Sequence, residues 1–403
     1  MDDCADLLIV GAGLGGLAAA LACARQAPRL GRIVLAEQAG ALQEVGAGIQ
    51  CGPNMTRRWQ RWGLMPALRE QAHAPGAVVA RDAASGRELG RLDTRDFEAR
   101  YGAPYLTVHR ADLQAALAAG VAPHGAQVQL LLGMAMSTVD IRDGAVQATG
   151  PASARTVSAR LLIGADGLHS VVRGRFWPET QVPDTGELAW RGMVAMRELP
   201  ARLRRAEVQA WLGPRMHVVS YPVRGGEWLN VAAFTESHTP IDVLAKPHSG
   251  AWLGEGLLTD LLQATGPMCA ELAETLAALP GLRRWRVHAR APLQSAADLH
   301  HSADSPVALL GDAAHPMQPY LAQGAGMALE DADALAQALS THGTRPQALA
   351  AYARTRWQRN AQVQTRAARN GRVFHAAGPL RLARNLALSL RPQLMDQPWL
   401  YGY

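Results

Sequence analysis

The first readable pattern in the chain is a short apolar run, "ADLLIV" (Ala5 to Val10), uninterrupted as in a strand buried on both faces. A glycine-rich turn follows, then an Ala/Leu-rich stretch to about Gln26 that predicts a helix, then a second apolar strand, "RIVLAE" (Arg32 to Glu37). The outline is βαβ. Further on, "ADLQAALAAGV" (Ala111 to Val121) has helical spacing, and "RLLIGADG" (Arg160 to Gly167) predicts another buried strand closed by a glycine turn. From about Thr185 to Phe234 the texture changes to "ELAWRGMVAM", "EVQAWLG", "MHVVSYPV" and "EWLNVAAF", separated by Pro and Gly, which predict a mostly antiparallel sheet. A Leu/Ala-rich stretch from Trp252 to Leu279 predicts helix, "SPVALLGD" (Ser305 to Asp312) returns to buried strand, and the tail from about Pro346 predicts Arg-rich helix.

Composition narrows the class. At 403 residues the chain exceeds a usual single core, so two closely connected domains are expected. With 48% hydrophobic and 18% charged residues it is a globular sequence, not a disordered one. The formal charge of +6 is carried by arginine, Lys246 being the sole lysine, and no dense basic block marks a nucleic-acid surface. Arg354, Arg356, Arg359, Arg366, Arg369 and Arg372 recur at roughly helical intervals and predict a solvated helix face. Cys4, Cys23, Cys51 and Cys269 form no CxxC and have no histidine at metal-ligand spacing, which excludes a disulfide framework, a structural zinc and a dithiol centre; no metal is expected. The acidic start "MDDCAD" and the lack of an apolar run of spanning length point to a cytoplasmic protein.

Two glycine-rich stretches carry chemistry. Gly11, Gly13 and Gly16 form G-x-G-x-x-G between strand and helix: Gly11 for the tight turn, Gly13 for close approach of a pyrophosphate, Gly16 for helix-on-strand packing. Glu37 ends the next strand, 21 residues after Gly16, where a carboxylate accepts from ribose hydroxyls. This unit alone does not separate NAD from FAD. The second stretch, "GDAAHPMQPYLAQGAGMALEDADAL" (Gly311 to Leu335), puts Asp312 at a strand end, to bind a polyol hydroxyl or to cap a helix, and leads a glycine-rich turn into a helix whose N–H groups could hold an electron-rich ring edge. Two anchors so far apart in sequence suit a long ligand such as FAD.

Together with "LLIGADGLHSVVR" (Leu161 to Arg173), "EVGAGIQCGPN" (Glu44 to Asn54), "HRADLQAAL" (His109 to Leu117) and the terminal "WLYGY", these stretches resemble the single-component FAD-dependent aromatic hydroxylases, most closely those acting on salicylate, 3-hydroxybenzoate and 6-hydroxynicotinate. The resemblance implies an α/β fold: a Rossmann-like FAD domain from residues 1–75, 101–180 and 285–345, a mostly antiparallel substrate domain from 76–100 and 181–284, and a helical segment 346–403. It implies that Gly11, Gly13, Gly15, Gly16, Glu37 and Gln38 hold the ADP half of FAD, that Arg110 reaches the pyrophosphate or ribityl region, and that Asp312 binds the ribityl chain. Pro319, Gly324, Ala325 and Gly326 would line the isoalloxazine, and Asp166, in the "ADG" turn, would combine a cofactor contact with a mainly structural role. NADH or NADPH, for which no second fingerprint exists, would bind transiently and reduce the flavin. O2 would then form a C4a-hydroperoxide, whose distal oxygen is attacked by an electron-rich ring. The expected partners are a small aromatic substrate, O2 and NAD(P)H, with no nucleic acid, in a monomer or homodimer.

Such a reaction gains from a base beside the phenol. His217 and Tyr221 are four apart on a predicted strand and share a face. Their spacing resembles the substrate-facing strand of the 3-hydroxybenzoate and 6-hydroxynicotinate enzymes; the competing reading is a core histidine beside a core tyrosine. Gln50, Gln318 and Tyr320 are expected to face substrate or flavin, His315 to satisfy loop backbone, and Arg191 either to neutralise a carboxylate or to form a structural ion pair. The competing functions are hydroxylation of a quinone precursor or other non-carboxylated ring, and non-catalytic flavin binding. A nicotinamide dehydrogenase would leave Gly311 to Leu335 unexplained.

Overall fold

The computed structural model describes residues 4–42, 47–150, 156–236 and 252–403. The first apolar run forms the strand Cys4–Val10, with Leu7, Leu8 and Ile9 fully buried. It lies between Ile33–Ala36 and Thr156–Gly164, parallel to both, and Val128–Leu131 extends the sheet beyond Ile33–Ala36. The other edge of Thr156–Gly164 is divided. Thr156 to Ala159 pair antiparallel with Ala145–Thr149 of a hairpin, and Leu162 to Gly164 pair parallel with Val307–Leu309.

This topology explains why motifs distant in sequence meet. Val10, Ala36 and Gly164 are in register, and Gly164 is in register with Leu309, so four chain segments leave the sheet at its carboxyl edge. The segments that follow are the glycine turn at Gly11, Glu37, the "ADG" turn and the loop opening at Gly311. Ligands of open α/β sheets bind at such an edge.

The second sheet has eight strands in the order Trp252–Gly256, Leu282–His288, Asp184–Ala195, Trp228–Glu236, Met216–Val223, Val208–Gly213, Ala77–Asp82, Glu88–Asp93. All pairs are antiparallel except Val208–Gly213 with Ala77–Asp82. One face buries Trp190, Trp211, Val218 and Val231 with Leu272 and Leu276 of the helix Ala270–Ala277. The opposite face turns toward the ribbon of Gly48–Cys51 and Leu106–His109 and toward the loop that follows Asp312.

Two expectations are corrected. Trp252 to Gly256 is an edge strand, not the start of a helix; Gly254 has φ +96° at a register shift, and helix begins only at Leu258. Nor is the arginine-rich tail simply a solvated face. In the helix Pro346–Phe374, Arg354, Arg366, Arg369 and Arg372 are exposed, but Arg356 and Arg359 are buried against the helix Gly324–His342. Arg356 meets Asp331 at 2.8 Å and Glu330 at 2.9 Å, and Arg359 meets Glu330 at 3.1 Å. The acids of "LEDADAL" carry the missing signal: buried carboxylates require cations, and the next helix supplies them to Glu330 and Asp331, while Arg58 and Arg61 of the helix Pro53–Arg61 meet Asp333. Among the described residues no helix is long and apolar enough to cross a membrane.

Candidate active site

The nucleotide cleft is built mainly from backbone. Gly11 has φ +99°, and a Cβ there would lie 2.5 Å from the Ala165 carbonyl oxygen. A Cβ on Gly16 would lie 1.8 Å from the Gly11 carbonyl oxygen, and one on Gly15 would meet Leu310 at 2.8 Å. At Gly13 nothing lies within 4 Å, so the glycine that the fold does not need is the one facing open space. Gly13 caps the helix Leu14–Gln26 with no side-chain cap and no acid in the first turn, leaving N–H groups for a phosphate. Glu37 accepts from Ala12 N at 2.8 Å and Ala39 N at 2.9 Å; it braces the turn while its half-exposed oxygens retain lone pairs for a ribose. Gln38 beside it is exposed.

At the other end of the cleft the helix Gly324–His342 also starts without a side-chain cap or an acid, and Gly324 and Ala325 are half-exposed there. Gly326 is buried, its Cα beside the Gln323 and Asn54 amides. Asp312 caps neither neighbouring helix: the caps are Leu310 and Gln323. Its exposed carboxylate accepts no hydrogen bond among the described residues and lies 3.9 Å from where a Gly324 Cβ would stand. Pro319 is half-exposed in the intervening loop. Open space at Gly13, two uncapped helix starts and a free carboxylate between them fit an extended dinucleotide bearing a polyol.

Other motif residues hold this edge together. Asp166 accepts from Ser170 Oγ at 2.6 Å and Val171 N at 2.7 Å, so its carboxylate is engaged at the start of the helix Val171–Phe176; burial raises its pKa against those hydrogen bonds. Arg173 donates to the carbonyl oxygens of Leu168 and, at 2.8 Å, Ala313, fastening the "ADG" turn to the Asp312 loop. His315 is fully buried, but its Nε2 meets the Asp331 carboxylate at 2.6 Å instead of loop backbone. Arg110 opens the helix Arg110–Val121, and its N–H donates to Ala47 O at 2.8 Å. The start of the "EVGAGIQCGPN" stretch, Glu44 to Gly46, lies outside the described residues.

The substrate-side candidates gather on the open face of the second sheet, where pairing defines three rows. Ala189, Phe234 and His217 form one; Arg191, Ala232 and Val219 the next; Met193, Asn230 and Tyr221 the third. Directly paired residues share a face, and rows two residues apart stand about 7 Å apart. The outer rows are tall and closed over. His217 stacks on Phe234 at 4.7 Å and 10° and touches Tyr320 and Phe374; Tyr221 and Asn230 press on Gly48, whose N–H donates to Asn230 Oδ1 at 2.7 Å. The middle row is low, with Ala232 as floor, and Arg191 and Val219 remain half-exposed. It forms a shallow socket between the outer rows with a cation at one end. Burial first, and then neighbouring Arg110, lower the pKa of Arg191, while Tyr221 opposes the shift. Arg191 packs on the Trp285 ring at 5.7 Å and has no ion pair among the described residues.

Gln318 and Tyr320, expected to face substrate, both donate to Glu187, Gln318 at 2.9 Å. Gln50 accepts from Tyr105 OH at 2.8 Å. Two residues escaped sequence reasoning. His375, just after the long arginine-rich helix, places Nε2 3.0 Å from His217 Nδ1, and its Nδ1 faces Glu187 Oε1 at 3.8 Å and Glu236 Oε1 at 3.7 Å. Nothing local to His375 or Glu187 announces this contact, made across 158 residues from His217. Burial and the paired ring hold His217 well below its usual pKa; burial and then Arg384 bring His375 to about 4.

A dinucleotide cleft at the carboxyl edge of one sheet, and a low row ending at a cation on the face of another, fit the class of flavoprotein oxidoreductases. Comparison with known proteins gives the particular family. Residues 4–367 match the FAD binding domain family. The 3-hydroxybenzoate 6-hydroxylase of Polaromonas naphthalenivorans is 33% identical over 410 residues, covering 100% of this chain and 97% of its own. The 3-amino-4-hydroxybenzoate 2-monooxygenase of Streptomyces cremeus is 34% identical over 400 residues, covering 98% and 94%. In fold the chain is similar to Klebsiella pneumoniae HpxO complexed with FAD and uric acid, at TM-score 0.80 and 22% identity over 95% of this chain and 92% of that one. The chain belongs to the FAD binding domain family, among its aromatic hydroxylases, and FAD is its cofactor.

Proposed function

We propose that this enzyme hydroxylates a small phenolic carboxylate, using NAD(P)H and O2, with the ring seated on Ala232 between the His217 and Tyr221 rows and the carboxylate on Arg191. The observation that carries this reading is the socket: a low middle row between two taller ones, ending at a cation that has no ion pair among the described residues. Names of the curated relatives, which act on hydroxybenzoates, support it. Gly11, Gly13, Gly15, Gly16, Glu37 and Gln38 would take the ADP half of FAD, Arg110 and Asp312 its middle, and Pro319 and Gly324 to Gly326 its ring. When bound, the reduced flavin supplies the activated oxygen. The segments around the parallel sheet thus form the cofactor domain and the eight-stranded sheet the substrate domain, in a protein that works in the cytoplasm, in keeping with its free cysteines.

His217 would accept the phenol proton at Nε2, raising electron density on the ring. With its depressed pKa it cannot keep that proton. An exit would run through the paired ring: with hydrogen on His217 Nδ1, that proton would pass to His375 Nε2, and His375 would release its own from Nδ1 toward Glu187 and the partly exposed Glu236. Tyr320 and Gln318 would act by holding Glu187 in place.

The test is a screen of phenolic and N-heteroaromatic acids against the holoenzyme for stimulated NADH or NADPH oxidation and oxygen uptake, with product mass measured. A product one oxygen heavier from a hydroxylated aromatic acid is the expected result. Turnover only of rings without a carboxylate would remove Arg191 from its role, and absence of stimulation by any ring would overturn the reading.

A further inference from the structure

The helix Gly378–Leu390 is built inside out. Its polar residues face the protein: Arg384 and Asn385 are buried, Arg381 meets Asp82 at 2.8 Å, Asn385 Nδ2 donates to Asp82 Oδ2 at 2.9 Å, and Arg384 donates to Phe374 O at 2.6 Å. Its leucines face out: Leu380, Leu382, Leu386 and Leu390 are 72%, 70%, 60% and 71% exposed, and Leu394 just beyond is 55% exposed. Scattered exposed leucines are ordinary, but four on the outward side of a helix fixed by buried polar contacts, with a fifth just beyond its end, need a cover.

We propose that this face pairs with the same face of a second copy of the chain. Leu382, Leu386 and Leu390 form a ridge at intervals of four, and Pro379, Ala383 and Ala387, all exposed, form the shallow row beside it. A ridge beside its own groove is self-complementary under a two-fold axis: each copy's leucines enter the other's alanine row, helices crossing at about −50°. The five leucines expose roughly 100 Å² each, more than half of the ~800 Å² per partner that a stable interface buries. A membrane is the less fitting cover. A helix lying on lipid keeps cations beside its apolar face, whereas Arg381 and Arg384 here point away and are engaged with Asp82 and backbone.

The experiment is sedimentation velocity of the holoenzyme from about 1 to 50 µM. The wild type is expected at twice the 43.0 kDa chain mass. Leu386→Glu with Leu390→Glu is expected at the single-chain mass, with flavin absorbance and substrate-stimulated NAD(P)H oxidation unchanged. A wild type that stays at single-chain mass overturns the proposal, as does a double variant that folds and remains paired. A single-chain wild type that sediments with phosphatidylglycerol vesicles overturns it in favour of lipid. Should the double variant not fold, Leu386→Cys reads the same contact: a bismaleimide is expected to link two chains, and its failure to do so against a reactive thiol overturns the pairing.

Discussion

The nucleotide cleft and the ring socket lie in one molecule but are made in opposite ways. The cleft is chiefly backbone: glycines where a Cβ would strike a neighbouring carbonyl, and two helix starts without side-chain caps. The socket is chiefly side chain, its rows drawn from three strands and its lid from a loop and a helix end far along the chain. Backbone devices need particular residues at fixed local spacing. Side-chain sites need only register, and many sequences supply that.

The comparison can be broken most severely at the glycines. Gly16→Ala puts a Cβ 1.8 Å from the Gly11 carbonyl oxygen, and no flexible side chain is there to yield. We expect the strand–helix contact to fail and the purified protein, if any, to be colourless. Gly13→Ala meets nothing within 4 Å, so the fold should stand while FAD affinity falls at least tenfold, about 1.4 kcal/mol, from collision with the ligand alone. Circular dichroism beside flavin titration separates the two; equal loss of fold in both variants would deny Gly13 its cofactor role.

In the socket, the largest effect is expected at His217. Replacing it with alanine should retain flavin yet lower turnover of the phenolic substrate roughly 100- to 10,000-fold, the range of a lost general base. Reduced flavin would then be reoxidised without product. Turnover and coupling equal to wild type would sink the assignment. His375→Gln should act through His217, changing the pH profile of turnover more than KM; a change in KM alone would make His375 merely structural. Arg191→Gln should raise KM for a carboxylated ring roughly 10- to 150-fold, as for a lost charged hydrogen bond of 1.5–3 kcal/mol, and leave an uncharged ring almost unaffected. Equal effects on both rings would return Arg191 to a structural role.

The difference in construction accounts for what the sequence made legible. The βαβ start, the four strand-like pieces and the glycine turns were readable because each is local: an apolar run, an alternation, a positive φ. That His217 and Tyr221 share a face follows from strand period, and the structure keeps both buried on one strand. What stood in front of them was not readable. Gln318 and Tyr320 bind Glu187, and Gln50 accepts from Tyr105, because polar groups in a loop or ribbon take whichever partner the packing brings. His375 was hidden for the same reason, and Arg356 and Arg359 were misread because periodicity shows that residues share a face but not what lies against it.

The smallest expected effect sharpens the assignment of His375 through stability instead of turnover. Burial, and then Arg384, hold its pKa at about 4 in the folded enzyme against the usual 6.5. Above pH 6.5 the ring is neutral whether the chain is folded or not. Between 6.5 and about 4 the unfolded chain binds the more protons, so stability falls as pH falls; below about 4 both states are charged and the loss is complete. From pH 7 to 5.5 the contribution lost is about 1 kcal/mol. Urea unfolding of wild type and His375→Gln at the two pH values measures it, since His217, Glu187, Glu236 and Arg384, the charged and titratable groups nearest the ring, are present in both. The variant should lose about 1 kcal/mol less than wild type on this step. An unchanged pH dependence would mean that His375 reaches solvent freely, and a ring in that position could not pass a proton from His217 without water taking its place.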